Sequence, residues 1–189
     1  MPGDSSSLYW PLPRHHGGYT GTDPVVCARF TITGAINRMS QDAYDRALRE
    51  LSEPTEEEKA HWPKDPLVAL GKPFADERGA IYPMVDLMMR SAVLIESKKG
   101  ALRANHCHLT DWHYCYVVEG EIEYYHRPHN TLVKPELIRV RKGGLVFTPP
   151  MVDHAMKFPE DTIFLTLGRN ARDQTTYEAD IVRVPLVEP

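Results

Sequence analysis

The second half of the chain is divided into many short β-type runs, and this pattern limits the fold more than any other sequence feature. Turn signals at Glu119–Gly120 and Lys142–Gly144 separate some of these runs. No helical pattern lies between the runs, which favours an all-β barrel or sandwich over a parallel α/β sheet. The predicted strands are Ser91–Glu96, Ala104–His108, His113–Val118, Glu121–His126, Leu137–Arg141, Leu145–Thr148, His154–Phe158, Thr162–Leu167 and Ile181–Val184.

The part of the chain before these strands contains two helical patterns. Apolar side chains recur at helical spacing over Ser40–Ser52, which predicts a helix with one apolar face. Pro54 ends that helix. Thr55 and Glu58 then have the spacing of a capping box, so we expect a short acidic helix that ends near Trp62.

The N-terminal residues differ again in composition. Residues 1 to about 24 are rich in Pro, Gly and Ser, as in an extended arm, and the β-branched run Pro24–Ile32 predicts a strand. A chain of 189 residues is long enough for one domain with a substantial core and short for two. We therefore expect one structural domain, in which residues 1–84 (arm, strand and short helices) pack on a barrel formed by residues 85–189.

Composition excludes several classes of function. Apolar residues make up 42% of the chain and charged residues 25%, as in ordinary globular proteins. A formal net charge of -4 argues against nucleic-acid binding, and no apolar run approaches the ~20 residues needed to cross a bilayer. The N-terminus lacks the pattern of a secretory signal peptide, and three cysteines do not form a disulfide framework. These observations predict a cytoplasmic protein.

Four histidines carry the strongest indication of function. Strand alternation places His106 and His108 on one face, and the four residues after His108 can turn the chain so that His113 faces back. His154 must then come from a third strand. Neutral imidazoles at this spacing predict a site for one divalent transition metal, whether Fe(II), Zn, Mn, Ni or Cu. The alternative is that these are ordinary polar histidines on strand surfaces.

The same alternation predicts which side chains line the pocket beside the histidines. Residues that share the inward face of His113 or His154 are mostly apolar, so the lumen should suit a small organic ligand. The predicted pocket residues are Cys115, Val117, Met156 and Phe158. Candidates for contacts to the imidazoles or for proton transfer are Asp111, Asp153, Glu121, Glu123 and Tyr124, while His126, His129, Arg139, Arg141 and Lys142 are expected mainly at the surface.

These glycines and histidines resemble the two motifs of the cupin superfamily. Gly100, His106, His108 and Gly120 match the first motif, in which His113 takes the place of a glutamate; Gly143, Pro149 and His154 match the second, in which Met151 replaces a glycine and Phe158 an asparagine. The resemblance implies a cupin-type double-stranded β-helix, or jelly-roll, barrel. It also implies a metal centre, here in a variant with four histidines.

Three functions are compatible with this resemblance. The first is a metal-dependent enzyme that carries out dioxygenase-type or other oxidative or Lewis-acid chemistry on a small organic molecule. The second rests on Phe74–Gly79, which is similar to the D-x-R-G opening of cupin-type nucleotide-sugar ketoisomerases; His106 or His108 would then be a general base with a tyrosine as partner. The third is a small-molecule-binding cupin without catalysis. Exposed strand edges, including Pro24–Ile32, predict a homodimer.

Overall fold

The computed structural model describes residues 40–188. The predicted arm and the predicted strand Pro24–Ile32 lie outside these residues. Three helices are described: α1 (Gln41–Glu50), α2 (Glu56–Ala60) and α3 (Gln174–Asp180). The strands are β1 (Leu67–Val68), β2 (Phe74–Asp76), β3 (Gly79–Ile81), β4 (Ser91–Ser97), β5 (Leu102–His108), β6 (His113–Glu119), β7 (Glu121–Pro128), β8 (Glu136–Arg141), β9 (Leu145–Thr148), β10 (Val152–Lys157), β11 (Thr162–Gly168) and β12 (Ile181–Arg183).

The strands form two five-stranded antiparallel sheets and one separate hairpin. The first sheet has the order β1-β9-β6-β11-β4, the second the order β12-β5-β10-β7-β8, and β2 pairs with β3. Strands that are distant in sequence are neighbours, since β5 pairs with both β10 and β12. This all-β architecture confirms the predicted fold class.

The apolar core lies between the two sheets. Strand alternation accounts for it, because inward side chains such as Ile122, Tyr124 and Val140 are fully buried. A second apolar cluster covers the outer face of the first sheet, where Trp62 packs edge-on against Trp112 with ring centroids 6.2 Å apart. The segment that contains Trp62 therefore shields this outer face from water.

Helices α2 and α3 are each connected to strands of the barrel. The predicted capping box is present at α2, where Thr55 accepts a hydrogen bond from the Glu58 backbone N–H. Arg169, at the end of β11, donates to the Glu58 carboxylate at 2.6 Å and to the Ser52 carbonyl at 2.8 Å. Helix α3, which sequence patterning missed, begins at the N-cap residue Asp173 and leads directly into β12. None of the helices in the described region is long and apolar enough to cross a membrane.

Candidate active site

The structure brings four histidines together inside the barrel. His106 and His108 lie on β5, His113 begins β6, and His154 lies on β10 directly opposite His106. Each is at most 5% exposed. The ring centroids of His106 and His154 are 4.7 Å apart, and those of His108 and His113 are 5.1 Å apart. The three-strand arrangement is the one that the sequence spacing predicts.

A bulge in β5 directs His106 into this cluster. Ala104 and Asn105 both have left-handed backbone conformations, with φ of 61° and 58°. The pairing of β5 with β10 shifts at this point, so that His154 lies opposite His106 and the next residue opposite Ala104. Asn105 is thus the additional residue of a β-bulge, a feature that bends a strand and changes the direction of the following side chain.

A cavity of about 120 Å³ opens beside the imidazoles. The four histidines line it together with Cys115 and Met156. The other two predicted pocket residues, Val117 and Phe158, belong to the packed apolar core. The remaining lining residues are Ile95, Arg103, Ala104, Phe164, Thr166, Arg172 and Tyr177. The cavity is therefore lined by apolar side chains together with imidazoles, a phenol and two guanidinium groups.

His108 forms a buried hydrogen bond with a carboxylate from helix α3. Its Nδ1 lies 2.9 Å from Oδ2 of Asp180, and both side chains are 2% exposed. The other oxygen of Asp180 accepts hydrogen bonds from the backbone N–H and the hydroxyl of Thr110, at 2.8 and 2.7 Å. Asp180 is therefore held in place independently of His108. Sequence reasoning missed Asp180, because no local motif relates it to a histidine 72 positions away.

Tyr177 and two arginines complete the site. The Tyr177 ring lies 5.9 Å from the His106 ring and 6.0 Å from the His108 ring, centroid to centroid. The Arg172 guanidinium lies over Tyr177 at 4.7 Å from the ring centroid, a cation–π contact. Arg103 is held by Ser97 Oγ at 2.6 Å and by the Glu96 carbonyl at 2.7 Å. Both arginines are exposed at the cavity and offer positive charge to a ligand.

Burial controls the protonation of this cluster. Desolvation, with repulsion from neighbouring imidazoles, holds the pKa of His106 and His113 far below the usual histidine value. The same causes lower the pKa of His154 to about 3. Desolvation raises the pKa of the Asp111 carboxyl and of the Tyr177 phenol. At neutral pH the imidazoles of His106, His113 and His154 are therefore neutral, and so is the Tyr177 phenol.

A second histidine–carboxylate pair lies on the opposite face of β10. Nδ1 of His129 is 2.6 Å from Oδ1 of Asp153, and Arg127 donates to Oδ2 of the same carboxylate at 3.0 Å. The expectation that His129 is a surface residue is therefore wrong, since its side chain is 11% exposed. His126 is also partly buried, and its Nε2 has no hydrogen-bond partner among the described residues. By contrast, Arg139 and Arg141 are exposed and form ion pairs with Glu121.

The four predicted histidines fall into two overlapping groups of donor atoms that could hold a metal. One consists of His106, His108 and His154, and the other of His108, Asp111 and His113; within each group the donor atoms lie within 4.8 Å of one another. Among the described residues, no such group contains all four histidines. His113 thus shares a group with His108 but not with His106 or His154, and its buried Nδ1 has no hydrogen-bond partner among the described residues.

Comparisons with known proteins identify the fold. No protein-family model matches the sequence, and no curated protein matches it significantly. Similar solved structures include QdtA, a sugar 3,4-ketoisomerase from Thermoanaerobacterium thermosaccharolyticum in complex with TDP, at 20% identity and a TM-score of 0.50 over 63% of this chain and 87% of that chain. A double mutant of QdtA in complex with TDP is 22% identical, with a TM-score of 0.50 over 62% and 85% of the two chains.

These comparisons support one prediction and overturn another. The predicted cupin-type jelly-roll barrel is confirmed. The predicted divalent transition metal is contradicted by the comparison, because the similar structures are those of a sugar 3,4-ketoisomerase in complex with TDP.

Proposed function

We propose that this protein isomerises or epimerises a nucleotide-linked keto sugar by proton transfer, with His108 as the general base. The observation that carries the proposal is the buried hydrogen bond between His108 and Asp180 beside the cavity. The likeness of the fold to a sugar ketoisomerase that binds TDP adds support. The metal-dependent oxidative function expected from the sequence is not retained, because it requires the cofactor that the comparisons overturn.

Asp180 selects the form of His108 that a base requires. When its carboxylate accepts a hydrogen bond from Nδ1–H, the imidazole is held in one tautomer and Nε2 keeps its lone pair. The carboxylate also stabilises the imidazolium that forms once Nε2 has taken up a proton. Two hydrogen bonds from Thr110 keep the carboxylate oriented, so His108 does not need to reorganise during the reaction.

The reaction needs only a proton and its return. A carbon beside the keto group of a sugar is acidic enough for a base to remove its proton, which leaves an enolate with its negative charge on the keto oxygen. When the carbon carries a hydroxyl, protonation of that oxygen gives an enediol; a proton added to the former keto carbon and one lost from the neighbouring hydroxyl then move the keto group. Return of a proton to the opposite face of the original carbon instead restores the ketone with inverted configuration. No oxidant is consumed in either case. Tyr177, whose ring lies near both His106 and His108, is placed to donate the returning proton.

The size and charge of the cavity fit one end of such a substrate. Its volume of about 120 Å³ is below the ~300–1,000 Å³ of sites that enclose a drug-sized ligand, so only the sugar would enter. Arg103 and Arg172 would then lie near the diphosphate outside the cavity. Guanidinium groups bind phosphate oxygens through paired hydrogen bonds, and Arg103 is already oriented by Ser97.

Solvent exchange tests the proposal directly. Purified protein is incubated in D₂O with a TDP-linked keto sugar, and deuterium in the sugar ring is measured by mass spectrometry and NMR. We expect incorporation with the wild type and its loss in His108→Asn. His129→Asn is the matched control, because His129 also contacts a buried aspartate but does not line the cavity. Equal exchange by wild type and His108→Asn would refute the assignment, and binding of TDP-sugar without exchange would indicate a non-catalytic binding protein.

We also propose that the protein is a homodimer. β4 lies at the edge of its sheet, and Leu94 in this strand is 62% exposed. In the β2–β3 hairpin, Phe74 is 71% and Ile81 69% exposed. An open sheet edge and exposed apolar side chains are both stabilised when a second copy covers them. Light scattering should give twice the mass of one chain, and Phe74→Ser with Ile81→Ser should shift the distribution toward monomer.

A further inference from the structure

We propose that Asn105 is a positioning residue, which holds the segment that supplies Asp180 and Tyr177 to the site and at the same time directs His106 into the cavity. This inference rests on the proposed function for its effect on turnover. The structural part of the proposal, the hold on the segment, does not depend on the identity of the substrate. Asn105 lies outside the cavity lining, so any effect on the reaction must pass through other residues.

The backbone of Asn105 makes the bulge that turns β5 toward the cavity. Its φ of 58° lies in the left-handed region, which asparagine adopts more readily than most residues other than glycine. The residue has no partner on β10, because the register passes from His106 to Ala104 across it. Without the additional residue, the alternation of side chains would place His106 on the opposite face of the sheet.

The side chain of Asn105 binds the chain end that follows helix α3. We call residues 181–187 the C-terminal strap. Oδ1 of Asn105 accepts hydrogen bonds from the backbone N–H groups of Leu186 and Val187, both at 3.1 Å, and Nδ2 donates to the Val187 carbonyl at 2.9 Å. The Asn105 carbonyl accepts a further bond from the Val184 N–H at 2.9 Å. One residue thus makes four hydrogen bonds to the strap.

The strap determines where helix α3 lies. It begins with β12, which pairs with β5 at Ile181, the residue directly after Asp180. The Leu109 backbone N–H donates to the Asp180 carbonyl at 2.7 Å, so the backbone and the side chain of Asp180 are both bound beside His108. At the other end of this region, Nδ2 of Asn170 donates to Thr110 Oγ1 at 3.0 Å, and the Asn170 backbone N–H donates to Asp111 Oδ1 at 2.7 Å. The helix is therefore attached at both ends, and Asn105 makes the distal attachment.

This arrangement links the position of the side chain on β5 to the positions of the side chains on α3 that the reaction needs at the same time. His106 follows the bulge on β5, while Asp180 and Tyr177 precede the strap on α3. Asn105 is the residue at which the bulge and the strap meet. Releasing the strap would allow α3 to shift relative to β5, and a displacement of about 1 Å between reacting groups can reduce a rate by about 100-fold. Asn105 therefore affects the catalytic step more than the binding of the diphosphate.

The test separates the side chain of Asn105 from its backbone conformation. Asn105→Gly keeps access to the left-handed region but removes the three side-chain hydrogen bonds. Asn130→Gly is the matched control, because Asn130 has φ of 57° in an exposed turn between β7 and β8. Two measurements are made on the full chain: steady-state kinetics with a TDP-linked keto sugar, and backbone hydrogen exchange at Leu109 and Thr110, whose N–H groups donate to Asp180.

We expect Asn105→Gly to lower kcat by about 10- to 100-fold with a smaller change in KM, and to speed exchange at Leu109 and Thr110. Asn130→Gly should change neither. Wild-type kcat and wild-type exchange in Asn105→Gly would overturn the proposal. If Asn105→Gly speeds exchange but the wild type does not turn over keto sugars, the proposed function is refuted. The role of Asn105 in holding the strap would still be supported.

Asn105→Asp provides a second variant should the glycine variant fail to fold. It keeps the Oδ1 acceptor for two of the three side-chain bonds and replaces the donor to Val187 with an oxygen. We expect the kcat and the exchange rates to lie between those of the wild type and those expected when the strap is fully released. Wild-type values for both in this variant would count against the role of the Nδ2 donor, and with it against the proposal.

Discussion

Nδ1 of His108 and Oδ2 of Asp180 lie 2.9 Å apart, although the two residues are 72 positions apart in the sequence. The pair joins a strand of the barrel to a helix that lies outside the repeating β pattern. Because the contact is fully buried, solvent does not compete for it, and it can fix the tautomer of the imidazole.

Asp180→Asn should leave a folded protein with little activity. The amide can offer its NH₂ group to Nδ1, which favours the tautomer that carries the proton on Nε2 and cannot act as a base there. We expect kcat to fall by about 10²- to 10⁴-fold, the range associated with general acid–base groups. Steady-state kinetics with a TDP-linked keto sugar checks this. A decrease below threefold would mean that the carboxylate does not set the state of His108.

The protein should lose stability as the pH falls below about 6.5. Because the pKa of His154 is lowered to about 3 in the folded protein, the unfolded chain binds a proton over the pH range of about 3–6.5 that the folded chain does not. At pH 5 this difference lowers the free energy of unfolding by about 2 kcal/mol from His154 alone. Above the usual histidine pKa it has no effect on that free energy. Urea unfolding at pH 7.5 and pH 5 should show the loss. His154→Gln should reduce the pH dependence, whereas a change at the exposed His61, His61→Gln, should not.

Met151 occupies the position of the motif glycine, and its backbone explains why the motif has a glycine there. Its φ is 58°, a conformation that costs an ordinary side chain about 1–2 kcal/mol. We expect Met151→Gly to raise the free energy of unfolding by about 0.5–1 kcal/mol, because the relief of strain exceeds the entropy cost of glycine. Met88→Gly, at another exposed methionine, should lower it slightly. A less stable Met151→Gly would contradict the strain argument.

Two motif glycines should differ in their tolerance of alanine. A Cβ on Gly120 would lie 2.5 Å from Thr162 Oγ1 and 2.6 Å from the Asp161 carbonyl, whereas a Cβ on Gly100 meets no atom within 4 Å. Both residues have positive φ, so an alanine at either position would be destabilised by the left-handed backbone conformation. We expect Gly100→Ala to cost about 1 kcal/mol and Gly120→Ala about 2–4 kcal/mol, measured by urea unfolding. Equal costs would show that the neighbouring backbone moves aside easily.

Arg172 should contribute to substrate binding through its charge. We expect Arg172→Met to raise KM by about tenfold at low salt and less at high salt, because screening weakens the attraction to a diphosphate. Arg139→Met is the control: Arg139 is exposed and already paired with Glu121 and Glu123 on β7, away from the cavity lining. A KM that rises equally in both variants would indicate a general charge effect.

The sequence by itself determined the barrel and the location of the histidines. Short runs of alternating residues permit only strands with one buried face, and the glycine and histidine spacing predicted which strands carry His106, His108 and His154. These are local properties, since period and turn chemistry depend on near neighbours.

Only the tertiary structure determined which side chains contact the histidines. The sequence favoured a metal because four imidazoles on adjacent strands resemble a ligand set, and nothing local shows that Asp180 on α3 binds His108. The bulge at Asn105, the strap that it holds and the approach of Tyr177 likewise depend on contacts between segments about 50 to 80 residues apart. Such contacts follow from how the sheets and helix pack together, and the spacing of residues along a chain carries no information about them.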